Sequence, residues 1–242
     1  MKPVTIRQAL LNRRMLICIF TGLASGMPLY LLISLVPAWL RTEGVGLKEI
    51  GFFALIGLPY TWKFIWSPLL DRYQLPIFSH QFGLRRSWMF ATQILLFVAI
   101  AALGFFDPTT QIWSIAGLCL AIAFLSATQD IVLDAYRRQI LPDEELGLGN
   151  SIHVNAYRIA GLVPGSLSLI LADSLPWHQV FTITAVFMFI GIALTLCIAE
   201  PKAHDRHPTT LQKAIAEPFK EFFSRQGVKQ ASLILAFMLL YK

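Results

Sequence analysis

From Met15 to Leu40 the chain carries no Asp, Glu, Lys or Arg, and that single stretch removes most of the folds open to a polypeptide. About 20 apolar residues form a helix long enough to cross the roughly 30 Å hydrocarbon layer of a bilayer. Inside that layer every backbone N–H and C=O must find a partner within the protein, which a helix provides by itself. The run is too long for the core of a cleavable signal peptide, so it reads as a retained first span. Comparable runs follow at Ile50–Leu70, Ser87–Phe106, Gln111–Gln129, Asn150–Ala172 and Pro176–Ala199. The expectation is an all-α membrane protein with six spans. A hydrophobic content of 56%, a charged content of 14% and a mean hydropathy of +0.61 exclude an ordinary soluble domain.

The basic residues give the orientation. With the N-terminus on the cytoplasmic side, the inner segments hold fifteen of the twenty Lys and Arg: Lys2, Arg7, Arg13, Arg14, Arg72, Arg85, Arg86, Arg137, Arg138, Lys202, Arg206, Lys213, Lys220, Arg225 and Lys229. The outer connections hold only Arg41 and Lys48. The positive-inside rule therefore predicts an N-in topology. It also accounts for the net charge of +6 without nucleic acid, because these residues lie between apolar runs and form no single basic stripe. Trp39, Trp113 and Trp177 at outer span ends and Trp66 and Trp88 at inner ends read as an aromatic belt, with Trp62 lying deeper beside Lys63.

Other chemistry is sparse. Cys18, Cys119 and Cys197 lie within apolar runs at no metal-binding spacing and read as packing residues, so neither a disulfide framework nor a zinc site is expected. No phosphate-loop pattern occurs, which rules out an ATP-driven pump built from this chain alone. No nucleophile–base pair or metal set points to an enzyme, and no cofactor is implied. Residues 1–200 are expected to hold the six spans and 201–227 a linker in which Leu211, Ile215, Phe219 and Phe222 recur at helical spacing, as in an interfacial amphipathic helix. Residues 228–242 read as an incomplete seventh span, since the apolar run from Gln230 to Tyr241 rises only about 18 Å as a helix.

Four ionisable residues stand in or at the edge of the predicted membrane: Lys63, Asp130, Asp134 and Arg158. Alternating span direction places all four towards the cytoplasmic half, where two carboxylates and two cations can meet as a neutral cluster facing the bundle interior. Asp130 and Asp134 share a helix face at i and i+4. Two readings stay open: a proton site whose charge biases inward against outward states, or a latch fixing helix orientation. Lys63 lies about 12 Å of helix from Asp71, a long reach for snorkelling, which favours an inward-facing role. Gln129 offers a donor and an acceptor to a solute, or alternatively an interhelical hydrogen bond. Gly22, Gly26 and Pro28 in the first span, Gly57 and Pro59 in the second, and Gly161, Pro164 and Gly165 in the fifth are candidate hinges.

The connection after the second span reads Asp71-Arg72-Tyr73 and, after an insertion, Gly83-Leu84-Arg85-Arg86. This resembles the Asp-Arg-x-Gly-Arg-Arg signature of the major facilitator superfamily, with its second part displaced by about ten residues. The resemblance implies that Asp71, Arg72, Gly83, Arg85 and Arg86 form a cytoplasmic gate. It also implies that residues 1–200 are the six-helix N-terminal bundle of such a transporter.

Gly22-Leu-Ala-Ser-Gly-Met-Pro-Leu, Trp66-Ser-Pro-Leu-Leu-Asp-Arg-Tyr, Ala91-Thr-Gln-Ile-Leu-Leu and Ser126-Ala-Thr-Gln-Asp-Ile-Val-Leu-Asp-Ala narrow the resemblance to the AmpG-type muropeptide permeases. That implies a Gram-negative inner-membrane importer of anhydro-muropeptides, driven by the proton-motive force, serving wall recycling and β-lactamase induction and completed by a C-terminal half-bundle. Under this resemblance Asp130 and Asp134 are expected to couple protons. Lys63 and Arg158 are expected to meet peptide carboxylates, and Trp62 and Gln129 to meet sugar. An acetyl-CoA carrier of the same superfamily branch and a non-transporting membrane fragment are the alternatives.

Overall fold

The computed structural model describes residues 12–75, 79–201, 220, 223–225 and 227–241. All regular structure among them is helical. Five helices are long and apolar enough to cross a membrane: Arg13–Thr42, Phe82–Leu103, Ile112–Ile140, Asp143–Ala172 and Trp177–Cys197. These are the first, third, fourth, fifth and sixth spans. A further helix covers Val228–Tyr241, and the predicted amphipathic helix around Leu211–Phe222 lies outside the described residues.

The second span, residues 47–72, is built from short pieces. Leu47–Phe52, Leu58–Trp62 and Ser67–Arg72 are α-helical, joined by 3₁₀ segments at Phe53–Gly57 and Lys63–Ile65. Pro59 and Pro68 sit in the first turn of their pieces. A proline cannot donate the i→i−4 bond, so each starts a new segment instead of continuing the old one. The tighter 3₁₀ turns have a larger rise, and the segment still spans roughly 40 Å.

Two wide turns mark the first and fifth spans. The first changes from α-helix to a π-helical turn at Leu31–Leu35, and the fifth does the same at Val163–Leu167. The two turns face each other, and Pro28 and Pro164 stand at or just before them. The second of these turns contains two of the candidate hinge residues, Pro164 and Gly165. Gly22 and Gly26 lie in regular helix, where a Cβ on Gly22 would meet Ala156 and the His153 carbonyl, and one on Gly26 would meet the Tyr157 backbone. They are places of close backbone approach, the use to which small residues are put in membrane bundles. Gly161 is likewise covered by the Tyr30 ring, whereas a Cβ on Gly165 would make only ordinary contact with Ser34.

Half of the bundle furthest from the arginine-rich ends has a continuous apolar core. Trp39 is buried there and meets Phe181 edge-on at 4.9 Å, so it is a core residue and not part of an aromatic belt. Trp113 is 87% exposed. Cys18 and Cys119 are buried packing residues, while Cys197 is exposed.

Candidate functional site

Two polar clusters stand out, one at the basic end and one at mid-depth. At the basic end the inserted segment brings the displaced signature back together: Arg85 Nη1 lies 2.6 Å from Asp71 Oδ1. Gly83 allows this because it adopts φ 79°, a left-handed conformation that favours glycine, just before the regular part of the third span. Arg72 pairs with no carboxylate among the described residues and rests over the Tyr73 ring.

A residue that sequence reading passed over closes this end. Glu200 accepts hydrogen bonds from the backbone N–H groups of Arg85 and Arg86 at 2.7 and 3.0 Å. It therefore caps the third span from the segment that follows the sixth, where orphan N–H groups and the positive end of the helix dipole favour a carboxylate. Arg86 returns the favour: its Nε and Nη2 donate to the carbonyls of Thr195 and Leu196, at the C-terminal end of the sixth span. Tyr136 Oη donates to Ala199 O at 2.8 Å and adds the fourth span.

At mid-depth a cavity of about 380 Å³ opens among the first, fourth and fifth spans. Asp130 is partly buried in its wall and accepts a 2.5 Å hydrogen bond from Ser25 Oγ of the first span. One turn on, Asp134 accepts from Arg137 Nη2 at 2.8 Å and faces Lys63 Nζ at 3.9 Å, and Arg137 also donates to Asn150 Oδ1. Lys63 is thus joined to Asp134, the shallower of the two carboxylates. Arg158 lines the same cavity, is exposed, and makes no ion pair among the described residues.

The remaining predicted contacts lie elsewhere. Trp62 is 56% exposed on the flank of the second span and does not line the cavity. Gln129 is fully buried and turned to the first span, where its Nε2 donates to Ala24 O at 3.1 Å. Pro28, four residues after Ala24, has no N–H to give that carbonyl. Gln129 answers the acceptor that Pro28 leaves open, so it is an interhelical tie and not a sugar contact.

Residues that the sequence reading did not select complete the cavity: Ser25, Tyr30, Arg137, Asn150, His153 and Tyr157. The Tyr30 and Tyr157 rings stand 5.8 Å apart and tilted at 56°. His153 is buried, with Nδ1 3.2 Å from Thr21 Oγ1, whose own proton goes to Cys18 O. Since a hydroxyl has one proton, Thr21 is left to accept, and Nδ1 carries the imidazole hydrogen. A visible signal existed for the fifth span. Asn150, His153, Val154, Tyr157 and Arg158 recur at i, i+3, i+4, i+7 and i+8, one helix face.

Membrane-spanning helices, reciprocal caps at one end and a charged cavity at mid-depth define a multi-pass helical membrane protein of the transporter class. The chain matches the Major Facilitator Superfamily over residues 19–241 and belongs to that family, one of transporters and not of enzymes. It is 46% identical over 230 residues to the anhydromuropeptide permease of Escherichia coli (strain K12), covering 95% of this chain and 45% of that protein. An uncharacterized protein of Haemophilus influenzae is 49% identical over 240 residues, covering 98% of this chain and 56% of that protein. A putative transporter, AmpG 1 of Rickettsia conorii, is 34% identical over 185 residues, covering 76% of this chain and 44% of that protein. The chain spans about half the length of the curated relatives it matches.

Proposed function

We propose that the chain forms the N-terminal half of a proton-coupled permease. Its solute is an anhydro-muropeptide, imported through the bacterial inner membrane for wall recycling, with control of β-lactamase induction as the downstream consequence. The likeness to the Escherichia coli permease supports the solute class. The observation that carries the mechanism is the cavity, which sets Asp130, tied to a neutral Ser25, apart from Asp134, tied to two cations. An aspartate without a cation pair is the one whose charge can be removed by a proton at least cost to its neighbours, and that change can bias one state against another. Arg158, with no carboxylate partner among the described residues, stands where it can take a peptide carboxylate, and Tyr30 and Tyr157 offer ring faces to the sugar.

The Asp71–Arg85 pair and the Glu200 cap belong, in this reading, to the cytoplasmic gate, with the N-terminus on the same side. A C-terminal half-bundle is the partner that completes the cavity. The test joins this chain to the second half of the Escherichia coli relative and expresses it in cells lacking their own permease. Labelled anhydro-muropeptide should accumulate, should stop accumulating when the proton gradient is collapsed, and should be displaced by unlabelled muropeptide and not by acetyl-CoA. Displacement by acetyl-CoA alone would reassign the solute, and accumulation unaffected by loss of the gradient would remove the coupling.

A further inference from the structure

A second cavity, of about 230 Å³, lies between the first and second spans in the half away from the arginines. Its walls are apolar, including Leu29, Leu32, Ile33, Phe53 and Ile56, and Tyr60 is its one polar side chain. Tyr60 Oη is itself buried and faces Ser126 of the fourth span without closing a well-formed hydrogen bond. Ser126 Oγ is buried and without a partner too, and so is Gln129 Oε1. Two of the six such atoms among the described residues therefore lie on the turn of the fourth span directly before Asp130, and a third, Tyr60 Oη, faces that turn from the second span. Buried polar groups left open in this way are a setting for bound water, which joins them into a hydrogen-bonded chain.

Asp130 thus stands near two spaces. One is the polar cavity, where it is faced by Tyr157, His153 and Arg158 from the fifth span, by Asp134 and Arg137 from its own, and by Ser25 and Tyr30 from the first. Lys63 and Tyr60 of the second span are also its neighbours, Lys63 held by Asp134 and Tyr60 lining the apolar cavity. We propose that Tyr60 and Ser126, linked by bound water, relay protons to Asp130 from the cavity between the first and second spans, on a path separate from the one the solute takes. The inference rests on the reading of Asp130 as the proton site. In each transfer Tyr60 Oη accepts a proton from a hydronium ion, which becomes water, and passes its own towards Ser126. Ser126 does the same towards Asp130 Oδ2, Oδ1 being held by Ser25. One proton moves, each hydroxyl is restored, and no other reactant is needed.

The test compares two rates in the joined carrier reconstituted in vesicles: uptake driven by a proton gradient, and exchange of labelled for unlabelled solute, which needs no net proton movement. Tyr60→Phe and Ser126→Ala should each slow driven uptake by roughly tenfold or more while leaving exchange at the parental rate, and Ser126→Thr should restore it. Driven uptake at the parental rate in both variants would overturn the relay, as would equal loss of uptake and exchange, which marks a residue needed for folding or for solute. Asp130→Asn separates the two claims: if it leaves driven uptake intact, the proton-site reading fails. If it abolishes driven uptake while Tyr60→Phe does not, only the relay fails. A second measurement uses the unjoined chain in lipid nanodiscs. After rapid mixing with heavy water, the infrared carboxyl band removed by Asp130→Asn should exchange roughly tenfold more slowly with Tyr60→Phe, and an unchanged rate would overturn the relay independently of transport.

Discussion

The two polar clusters of this half-bundle are made of the same residue types and are assembled on opposite principles. At the basic end, Glu200 uses both carboxylate oxygens on the N–H groups of Arg85 and Arg86, Arg86 answers two carbonyls of the sixth span, and Arg85 takes Asp71, so that only Arg85 Nε stays without a partner among the described residues of this network. At mid-depth, among the described residues, Arg158 has no ion pair, Arg137 Nη1 has no hydrogen bond, and Asp130 holds a serine alone. A network that closes fixes helix ends, because removing any member strands a buried partner. One that stays partly open can take a proton or a solute, since its groups have bonding capacity left. The difference predicts which substitutions cost stability and which cost transport.

Glu200→Ala should have the largest structural effect. It strands two N–H groups at a helix start, each cap being worth about 1 kcal/mol and the buried donors more, so a loss of about 2–4 kcal/mol is expected. The check is thermal unfolding in detergent, and stability within 0.5 kcal/mol of the parent, on the scale of ordinary surface changes, would show that the clusters do not differ as described. Arg158→Ala should do the reverse. Unfolding should be unchanged, while the KM for muropeptide in the joined carrier rises roughly tenfold to a hundredfold, the worth of a charge-assisted hydrogen bond. An unaltered KM would remove Arg158 from the solute's path.

Gln129→Leu should be intermediate, for its Nε2 is tied to the first span while its Oε1 stays open beside Asp130. With the Ala24 carbonyl unanswered, about 1 kcal/mol of stability should be lost, with KM unchanged; a raised KM would return Gln129 to the solute. The smallest effect is at the far loop, where Asp107 accepts hydrogen bonds from the hydroxyls of Thr109 and Thr110 and from the Thr109 N–H. Those bonds, the Thr109 hydroxyl foremost, hold its carboxyl below the usual range. A depressed folded-state pKa gives order that is present above the unfolded value, about 3.9, and is lost as pH falls through the folded one. The carbon-13 titration of Asp107 should therefore have its midpoint below that value, and Thr109→Ala should move it up.

The spans were legible because hydrocarbon imposes length and apolarity on a continuous stretch of chain. Gly57 and Pro59 likewise announced a broken second span. What escaped depends on pairs far apart in sequence. Nothing near Glu200 tells of Arg85, and although Pro28 implies an unanswered carbonyl at Ala24, it does not say that Gln129 will answer it. Trp39 looked like an interfacial residue because its position near a span end fitted, while its burial depends on Phe181 of a span much later in the chain. On the fifth span the polar face from Asn150 to Arg158 was readable from spacing. Its facing wall, Ser25 and Tyr30, was not, because those residues are uncharged and lie in an apolar run.

The central claim is that Asp130, and not Asp134, carries the proton. It is tested most directly by the pH dependence of muropeptide uptake by the joined carrier with Asp130→Asn and with Asp134→Asn. Asp130→Asn should abolish gradient-driven uptake and flatten its pH profile while solute exchange continues, whereas Asp134→Asn should lower the rate and leave the profile's shape. A pH profile that survives Asp130→Asn with its driven uptake would contradict the account and make the aspartate a structural tie to Ser25.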